Sequence, residues 1–365
     1  MAHPIPEVLK AFAEGEMVVV TDDDDREGEG DLIVAASLCT PEKMAFIIRH
    51  TSGIVCAPIT SADARRLRLD PMVAHNDSAH TTAFTISIDY KPGGTTGISA
   101  EERTACCRAL ANPNVGANDF ARPGHIFPLI AKDGGVLLRS GHTEAAVDLC
   151  KLANLPPVGV ISELMNDDGT VMKGAQVVGF AQKHGLKLVT IADLIAYRQA
   201  REKLVERVST FTVESPIGPL QGYAYCTPFD EIYHVAYVYK GVGDGKRVLT
   251  RFHKPNLVRD LFTGVSRVRT ALEYFQKNGS GVLIYLRDGA AGVPVAPIDE
   301  PNSAEAMRNQ QWREVGVGAQ ILRDLGVSSI RHLTSSAVEF KGLSGFGIEI
   351  VATEPFKFDP KIDTK

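Results

Sequence analysis

The segment MVVVTDDDDREGEGDLIVAA places seven carboxylates within ten residues: Asp22 to Asp25, Glu27, Glu29 and Asp31. An acidic run standing alone reads as a solvated turn. This one lies between two apolar runs, Met17 to Val20 and Leu32 to Ala36, that read as strands and keep the loop from dispersing. Carboxylates held that closely repel one another unless a cation or Arg26 relieves them. An EF-hand fails on spacing. With Asp23, Asp25, Glu27 and Gly28 at positions 1, 3, 5 and 6, position 12 is Val34, and the bidentate Glu is missing. Hard oxygen donors in small number suit Mg²⁺ or Mn²⁺, which complete their shells with water and substrate oxygens. The expectation is an open catalytic site.

A second constellation lies in GGVLLRSGHTEAAVDLCKLA, which reads as a strand ending at Arg139, a turn Ser140-Gly141-His142, and a helix opening at Thr143 or Glu144. The N–H groups of a helix N-terminus attract anions, and Arg139 and Thr143 add a charge and a hydroxyl to the grip on a phosphate. Short Gly-containing strand-to-helix turns are common, so the motif needs the neighbouring His142 to gain weight. His125 follows Pro123-Gly124 in a tight turn that would present the imidazole at the mouth of a strand. Glu163 ends the apolar strand GVISE, where a carboxylate either faces a site or caps the next helix. His75 and His80 are five apart, which is not the spacing of a helical zinc pair, and are read as structural. His50 and His184 carry no pattern.

The elements that must position these groups divide into two parts. A length of 365 residues, 44% apolar and 23% charged, fits two globular domains and excludes disorder, collagen and coiled coil. Residues 1–200 hold 25 acidic against 18 basic side chains, and residues 201–365 hold 19 against 21, so the parts differ chemically. Neither balance predicts nucleic acid or an anionic membrane as partner. No stretch has the roughly 18 apolar residues of a membrane span, and the N-terminus lacks the order of a secretion signal, so a cytoplasmic protein is expected. The six cysteines show no CxxC and no metal spacing, which reads as reduced thiols. LKLVTIADLIAYRQAREKLVERV passes from strand into an amphipathic linker helix with Ile191, Leu194, Ile195 and Leu204 on one side. Alternating strands joined by Gly/Pro turns follow, with the boundary near Ser209.

The segments DDDDREGEGDLI, RHTSGIVCAP, HTTAFTISID, TTGISAEER, DFARPGHIFPL, RSGHTEAAVDL and VISELMNDDG occur in the order found in 3,4-dihydroxy-2-butanone 4-phosphate synthase, and residues 1–200 resemble that family. The resemblance implies a metal-dependent lyase of riboflavin biosynthesis that converts D-ribulose 5-phosphate into L-3,4-dihydroxy-2-butanone 4-phosphate and formate. It implies Mg²⁺ or Mn²⁺, two ions per site, with no organic cofactor, and a homodimer with its sites near the interface. By the same resemblance Glu27 and His142 are the metal ligands. Arg26, Glu27, Asp31, Arg139, Ser140, Gly141, His142, Thr143 and Glu163 contact the sugar phosphate, and His125 and Glu163 form the acid/base pair. Loss of a proton beside a ketone requires a base of near-neutral pKa and an electrophile for the enediolate, and such a set supplies both.

Residues 209–365 resemble GTP cyclohydrolase II through TVESPIGPLQGYAY, GVLIYLRDG, GVGAQILRDLGVSSIRHLTSS and KGLSGFGIEIV. That family holds zinc through three Cys in a segment reading approximately HSEC and then CDC. Here RFHKPNLVRDLFTGVSRV keeps His253 but has Asn256 at the first Cys position and no CDC. DGAAGVPVAP stands for EGRGIGL, and Gln311 and Val315 flank Arg313 where Asp and Tyr are expected. Without thiolates a tight zinc site is not expected. The reading is two α/β domains, each with a mixed sheet flanked by helices. Residues 1–208 form the synthase domain with its linker helix, and 209–365 an inactive cyclohydrolase-like domain without zinc. Two alternatives stay open: a bifunctional enzyme with an altered GTP site, and a non-catalytic nucleotide-binding or scaffold protein, against which Glu27, His125, His142 and Glu163 argue.

Overall fold

The computed structural model describes residues 2–22, 28–78, 82–203, 205–227, 230–253, 255, 267–287, 316–334 and 347–356. The chain divides into two units, Met1–Tyr197 and Arg198–Lys365. In the first, strands β1 (Val18–Thr21), β2 (Gly30–Ala35), β3 (Cys56–Ile59), β4 (Ile88–Tyr90), β5 (Phe120–Ile130), β6 (Gly159–Glu163) and β7 (Lys187–Thr190) form a mixed sheet in the order β4-β5-β3-β6-β2-β1-β7. Its helices are α1 (Ile5–Ala13), α2 (Pro41–His50), α3 (Ser61–Arg66), α4 (Ala100–Leu110), α5 (His142–Leu152) and α6 (Ala175–Lys183), and α7 (Ile191–Arg201) starts in this unit and ends in the second.

Strand β2 is buried along its whole length, as a central strand covered on both faces must be. Alternation sends Leu32 and Val34 into the core with Met44 and Ile47 of α2, Cys107 and Leu110 of α4, and Phe180 of α6. Asp31, Ile33 and Ala35 turn to the opposite face, where α5 packs on β1, β2, β3 and β6 and is backed by α1. Helix α5 is buried from His142 to Cys150, which requires apolar or internally paired groups all round. It lies so close to β6 that a Cβ at Gly159 would come 2.8 Å from the methyl of Ala146.

The second unit holds β8 (Glu206–Ser215), β9 (Gly218–Thr227), β10 (Asp230–Tyr239), β11 (Val248–His253), β12 (Gly281–Tyr285), β13 (Ser329–Thr334) and β14 (Glu349–Pro355), in the order β14-β13-β11-β12-β10-β9-β8. The β8, β9 and β10 strands form an antiparallel meander, and β11 to β14 run parallel. Helix α8 (Arg267–Asn278) and a helix over 316–324 contribute to its two cores. Both units are therefore α/β with mixed sheets flanked by helices.

The units part between Tyr197 and Arg198, earlier than Ser209, which lies within β8. The reason is local to the second unit. Gln320 donates to the carbonyls of Gln199 (3.2 Å) and Glu202 (2.6 Å), Val205 joins the second unit's core, and β8 pairs with β9 from Glu206 onward. Among the described residues no helix is long and apolar enough to cross a membrane.

Helix α4 opens on a reciprocal cap: Ser99 Oγ accepts the Glu102 N–H (3.1 Å) and the Glu102 carboxylate accepts the Ser99 N–H (3.4 Å). The same carboxylate accepts from Thr95, through both N–H and hydroxyl. The N–H groups of Thr95 and Gly97 and the Thr95 hydroxyl hold the Glu102 carboxyl down to about 2, against an ordinary 4.5. A depressed folded pKa contributes stability above the ordinary carboxylate range and loses it as pH falls toward 2. Thermal melts of Glu102→Gln should show the same deficit against wild type at pH 7 and pH 5.5 and a shrinking one below pH 4. A deficit independent of pH would contradict this role.

Candidate active site

The cleft begins with a strand pairing. Asp31 on β2 and Glu163 on β6 are register partners and project from the same face, toward α5. Side chains so paired stand about 5 Å apart at Cβ, and like charges there are mutually unfavourable. Cys56, beside them on β3, feels the result: burial, and then Asp31 and Glu163, push its thiol well up and keep it protonated. The pair thus calls for a positive group.

The N-terminus of α5 closes the other side. Gly141 is the N-cap and supplies no side-chain acceptor, so the first-turn N–H groups stay available. A Cβ at Gly141 would lie 2.2 Å from Arg139 Nη1, so this position excludes every other residue type while the guanidinium holds its place. Arg139 donates to Glu144 (2.6 Å) and to the Thr82 hydroxyl (3.0 Å). Glu144 is 1% exposed and also accepts the Lys132 N–H at 3.0 Å, while buried Asp148, one turn on, accepts the Val136 N–H at 2.8 Å.

These carboxylates overturn the strand expected to end at Arg139. Strand β5 stops at Ile130, and Gly135–Leu137 is a 3-10 turn with Gly135 at φ 62°. Its Val136 N–H goes to the Asp148 carboxylate of α5 and its Gly135 N–H to the Lys132 carbonyl, instead of to a neighbouring strand. The helix itself begins at His142, slightly before the expected Thr143.

His142 is 7% exposed, and its Nε2 lies 3.1 Å from the Val20 carbonyl oxygen. A carbonyl only accepts, so Nε2 carries the hydrogen and Nδ1 of the neutral ring keeps a lone pair. That nitrogen lies 3.9 Å from Asp31 Oδ1. An imidazole fixed through its other nitrogen beside carboxylates is what a divalent cation accepts, and the donors fit Mg²⁺ or Mn²⁺. Among the described residues no group of three His, Cys, Asp or Glu stands ready as a metal site. Arg26 and Glu27 lie outside the described residues. The three described loop carboxylates all have protein partners: Asp22 accepts the Glu29 N–H (2.9 Å), Glu29 pairs with Lys173 (3.2 Å), and Asp31 faces His142 (3.9 Å).

The resulting cavity of about 160 Å³ is lined by Asp31, Cys56, Thr82, Arg139, His142, Thr143, Ser162 and Glu163, with Ile54, Phe84, Leu129 and Ile161 as its apolar wall. Residues far apart in the chain converge here, and Ser140 and Gly141 form the connecting turn. His125 does not line the cavity. It lies within β5 and not at a strand mouth, in a stretch where the ladder to β4 jumps from Ile126 to Ala121. Asp89 binds it twice, accepting the His125 N–H at 2.8 Å and meeting Nδ1 at 2.8 Å. The carboxylate makes Nδ1 the protonated nitrogen and leaves Nε2 as the basic one.

Asp89, Cys56, Thr82 and Ser162 were missed as functional positions. The first three stand in the segments HTTAFTISID and RHTSGIVCAP, and the alternating strand before Asp89 was the available signal. His75 is exposed, and His80 lies outside the described residues. His50 and His184 pack with Phe46 and Phe180 in a cluster of rings whose centroids are 4.4–6.2 Å apart, a structural use.

Fold and cleft together define a two-domain α/β protein whose first domain presents an anion-accepting helix terminus beside paired carboxylates. The family model of 3,4-dihydroxy-2-butanone 4-phosphate synthase matches residues 6–197, and that of GTP cyclohydrolase II matches residues 206–355. The chain is 42% identical to riboflavin biosynthesis protein RibBA of Bacillus cereus, over 100% of this chain and 96% of that one. It is also 42% identical to the monofunctional riboflavin biosynthesis protein RIBA 2, chloroplastic, of Arabidopsis thaliana, over 98% of this chain and 77% of the relative.

Among solved structures, RibBX of A. baumannii, described as a two domain 3,4-dihydroxy-2-butanone 4-phosphate synthase, superposes with a TM-score of 0.82 at 36% identity, covering 98% of this chain and all of that one. A 3,4-dihydroxy-2-butanone 4-phosphate synthase in complex with two magnesium ions matches 55% of this chain and 98% of its own, at 47% identity and a TM-score of 0.54. The chain belongs to the 3,4-dihydroxy-2-butanone 4-phosphate synthase family and carries a second domain of the GTP cyclohydrolase II family.

Glu144→Ala should remove the buried carboxylate that holds the half-buried Arg139 guanidinium and leave the Lys132 N–H without its acceptor. Breaking a buried pair in this way typically costs about 3–5 kcal/mol. Urea unfolding that places the loss below about 1 kcal/mol would mean that solvent replaces Glu144 freely.

Proposed function

We propose that the first domain converts D-ribulose 5-phosphate into L-3,4-dihydroxy-2-butanone 4-phosphate and formate, with Mg²⁺ or Mn²⁺, two ions per site, and no organic cofactor. The observation that carries this reading is the convergence of Asp31, Arg139, His142, Thr143 and Glu163 on one cavity. The phosphate end of the substrate meets the N–H groups of α5, the Thr143 hydroxyl and Arg139, whose guanidinium Glu144 and Thr82 hold in place. His142 through Nδ1, together with Glu27, would hold the metal. When bound, the cation polarises the carbonyl and hydroxyl oxygens of the sugar and lowers the cost of removing a proton beside the ketone.

Glu163 and His125 are the proton-transfer groups. Glu163 stands at the cavity wall, and the His125 imidazole is oriented by Asp89 with Nε2 as the basic atom. A single chain's cavity lacks His125, and its side chain is 42% exposed. This supports a homodimer in which the partner copy supplies the imidazole. The six free cysteines suit a reducing, cytoplasmic compartment.

The second domain is read as inactive on GTP and free of zinc. The key positions Asn256, Gln311, Arg313 and Val315 lie outside the described residues, so the argument rests on donor chemistry. Of the described donors, His234 accepts the Arg287 N–H (3.2 Å), His253 stacks on Tyr285 (5.2 Å) and His332 meets Phe252 edge-on (5.6 Å). Burial and the adjacent Arg251 push His332 down to about 4, an environment unfavourable to a cation. The match to the GTP cyclohydrolase II family over residues 206–355 favours the second reading, a bifunctional enzyme with an altered GTP site.

Glu27→Gln and His142→Ala should each abolish formate release from ribulose 5-phosphate and weaken Mn²⁺ binding, since lost charge stabilisation at an enediolate costs about 3 kcal/mol or more. More than a few per cent of wild-type rate at saturating Mg²⁺ in either variant would remove the metal assignment. Full-length protein from zinc-supplemented cells should contain no stoichiometric zinc and release no formate from GTP. One zinc per chain with turnover above a buffer control would establish the bifunctional reading.

A further inference from the structure

Arg103 on α4 is 7% exposed, and its guanidinium forms no ion pair among the described residues. It reaches two main-chain carbonyls instead: Nη1 donates to Gly53 O at 3.1 Å and Nε donates to Ile98 O at 3.1 Å. Each carbonyl belongs to a segment that holds one of the two proton-transfer groups. We propose that Arg103 is a positioning residue that locks the Glu163 end of the cleft and the His125–Asp89 pair into one fixed relation.

The first arm runs through the turn 51–54. Ser52 N–H donates to the Glu163 carbonyl (2.9 Å), and the Ser162 hydroxyl bridges Thr51 Oγ1 (2.8 Å) and Ile54 O (3.0 Å). Ile54 and Cys56, just beyond, line the cavity. Gly53 itself sits at φ 74° with open space around it, so the turn has little side-chain packing of its own to fix its crest. The Arg103 bond at Gly53 supplies that restraint.

The second arm runs through residues 95–98. Glu102, the neighbour of Arg103, ties down Thr95 and Ser99, and Arg103 ties down Ile98. Gly97 between them lies directly on the Asp89 carboxylate, where a Cβ would come 2.1 Å from Oδ2. That same Oδ2 meets His125 Nδ1. A shift of this loop is therefore a shift of the group that orients the imidazole.

A guanidinium suits this task because its donors are fixed in one plane and keep their charge when buried, whereas a lysine ammonium on a flexible stem reaches one carbonyl at a time. Holding reacting groups to within an ångström is worth about a hundredfold in rate. The proposal rests on the reading of the cleft as the synthase site, and it is tested in two independent ways.

In full-length Arg103→Met and Arg103→Lys, hydrogen exchange is followed by mass spectrometry on peptides covering 51–55 and 123–127, which contain the Ser52 and His125 amides. Protection of both should fall by about tenfold or more in Arg103→Met, and less in Arg103→Lys, while peptides from α5 exchange as in wild type. In the formate assay, kcat should fall by about tenfold or more with KM for ribulose 5-phosphate changed by less than about threefold, and lysine should restore only part of the rate. Loss of protection at one segment alone, an equal loss throughout the first domain, or full rescue by lysine would overturn the proposal. If Arg103→Met does not fold, the lysine variant carries both readouts. A wild-type protein that releases no formate would remove the synthase reading, while the exchange result would still decide whether Arg103 joins the two segments.

Discussion

The cleft depends on the carboxylate of Glu144. It is 1% exposed, grips Arg139 and the Lys132 N–H, and with Asp148 tethers the segment between β5 and α5 to the helix that follows it. A buried ion pair adds little net stability over well-packed apolar groups, but removal of one partner is costly. Its contribution here is placement: a segment without strand partners becomes a fixed wall, and the guanidinium is held against the open N-terminus of α5. Gly141 completes the arrangement because any side chain there would occupy the guanidinium's place.

The opposite wall follows from strand register. Because Asp31 and Glu163 are cross-strand partners, the sheet brings two carboxylates together on one face and leaves the neighbouring Cys56 thiol protonated. Such a pairing is unfavourable for folding alone. Beside the pair stands an imidazole whose Nε2 is committed to the Val20 carbonyl and whose Nδ1 faces Asp31 at 3.9 Å. The site thus sets like charges on one side against a helix terminus without a side-chain cap on the other.

The second domain shows both kinds of arrangement. Its sheet joins an antiparallel meander to a parallel half, and its described imidazoles serve packing: one accepts a backbone N–H, one stacks on a tyrosine and one meets a phenylalanine edge. Like-charge crowding occurs here too: Arg251, 7% exposed, donates to the Leu333 carbonyl at 2.9 Å, and burial and then the neighbouring Arg267 push its guanidinium down to about 10. Arg207, by contrast, is held by Asp324 at 2.6 Å, and the Tyr225 hydroxyl donates to the same carboxylate at 2.8 Å.

Local pattern in the sequence determined a good deal. The apolar runs flanking the acidic loop became β1 and β2, GVISE became β6, and the turn Ser140-Gly141 led into α5, because short continuous apolar runs bounded by polar and Gly-containing turns are written into neighbouring residues. The motifs also named Asp31, Arg139, His142, Thr143 and Glu163. Tertiary structure alone decided what depended on distant partners. GGVLLR has the composition of a strand, yet Asp148 of a helix accepts its Val136 N–H, Glu144 holds Lys132 just before it and the Arg139 side chain, and local carbonyls take further N–H groups, which leaves it a turn. His125 gains its tautomer from Asp89, 36 residues earlier. The division of the chain fell at Tyr197 because Gln320, more than a hundred residues onward, claims the carbonyls of Gln199 and Glu202. Local periodicity reports which face of an element is buried; it contains no record of which remote donor will meet a given acceptor, and that pairing is settled only when the chain closes on itself.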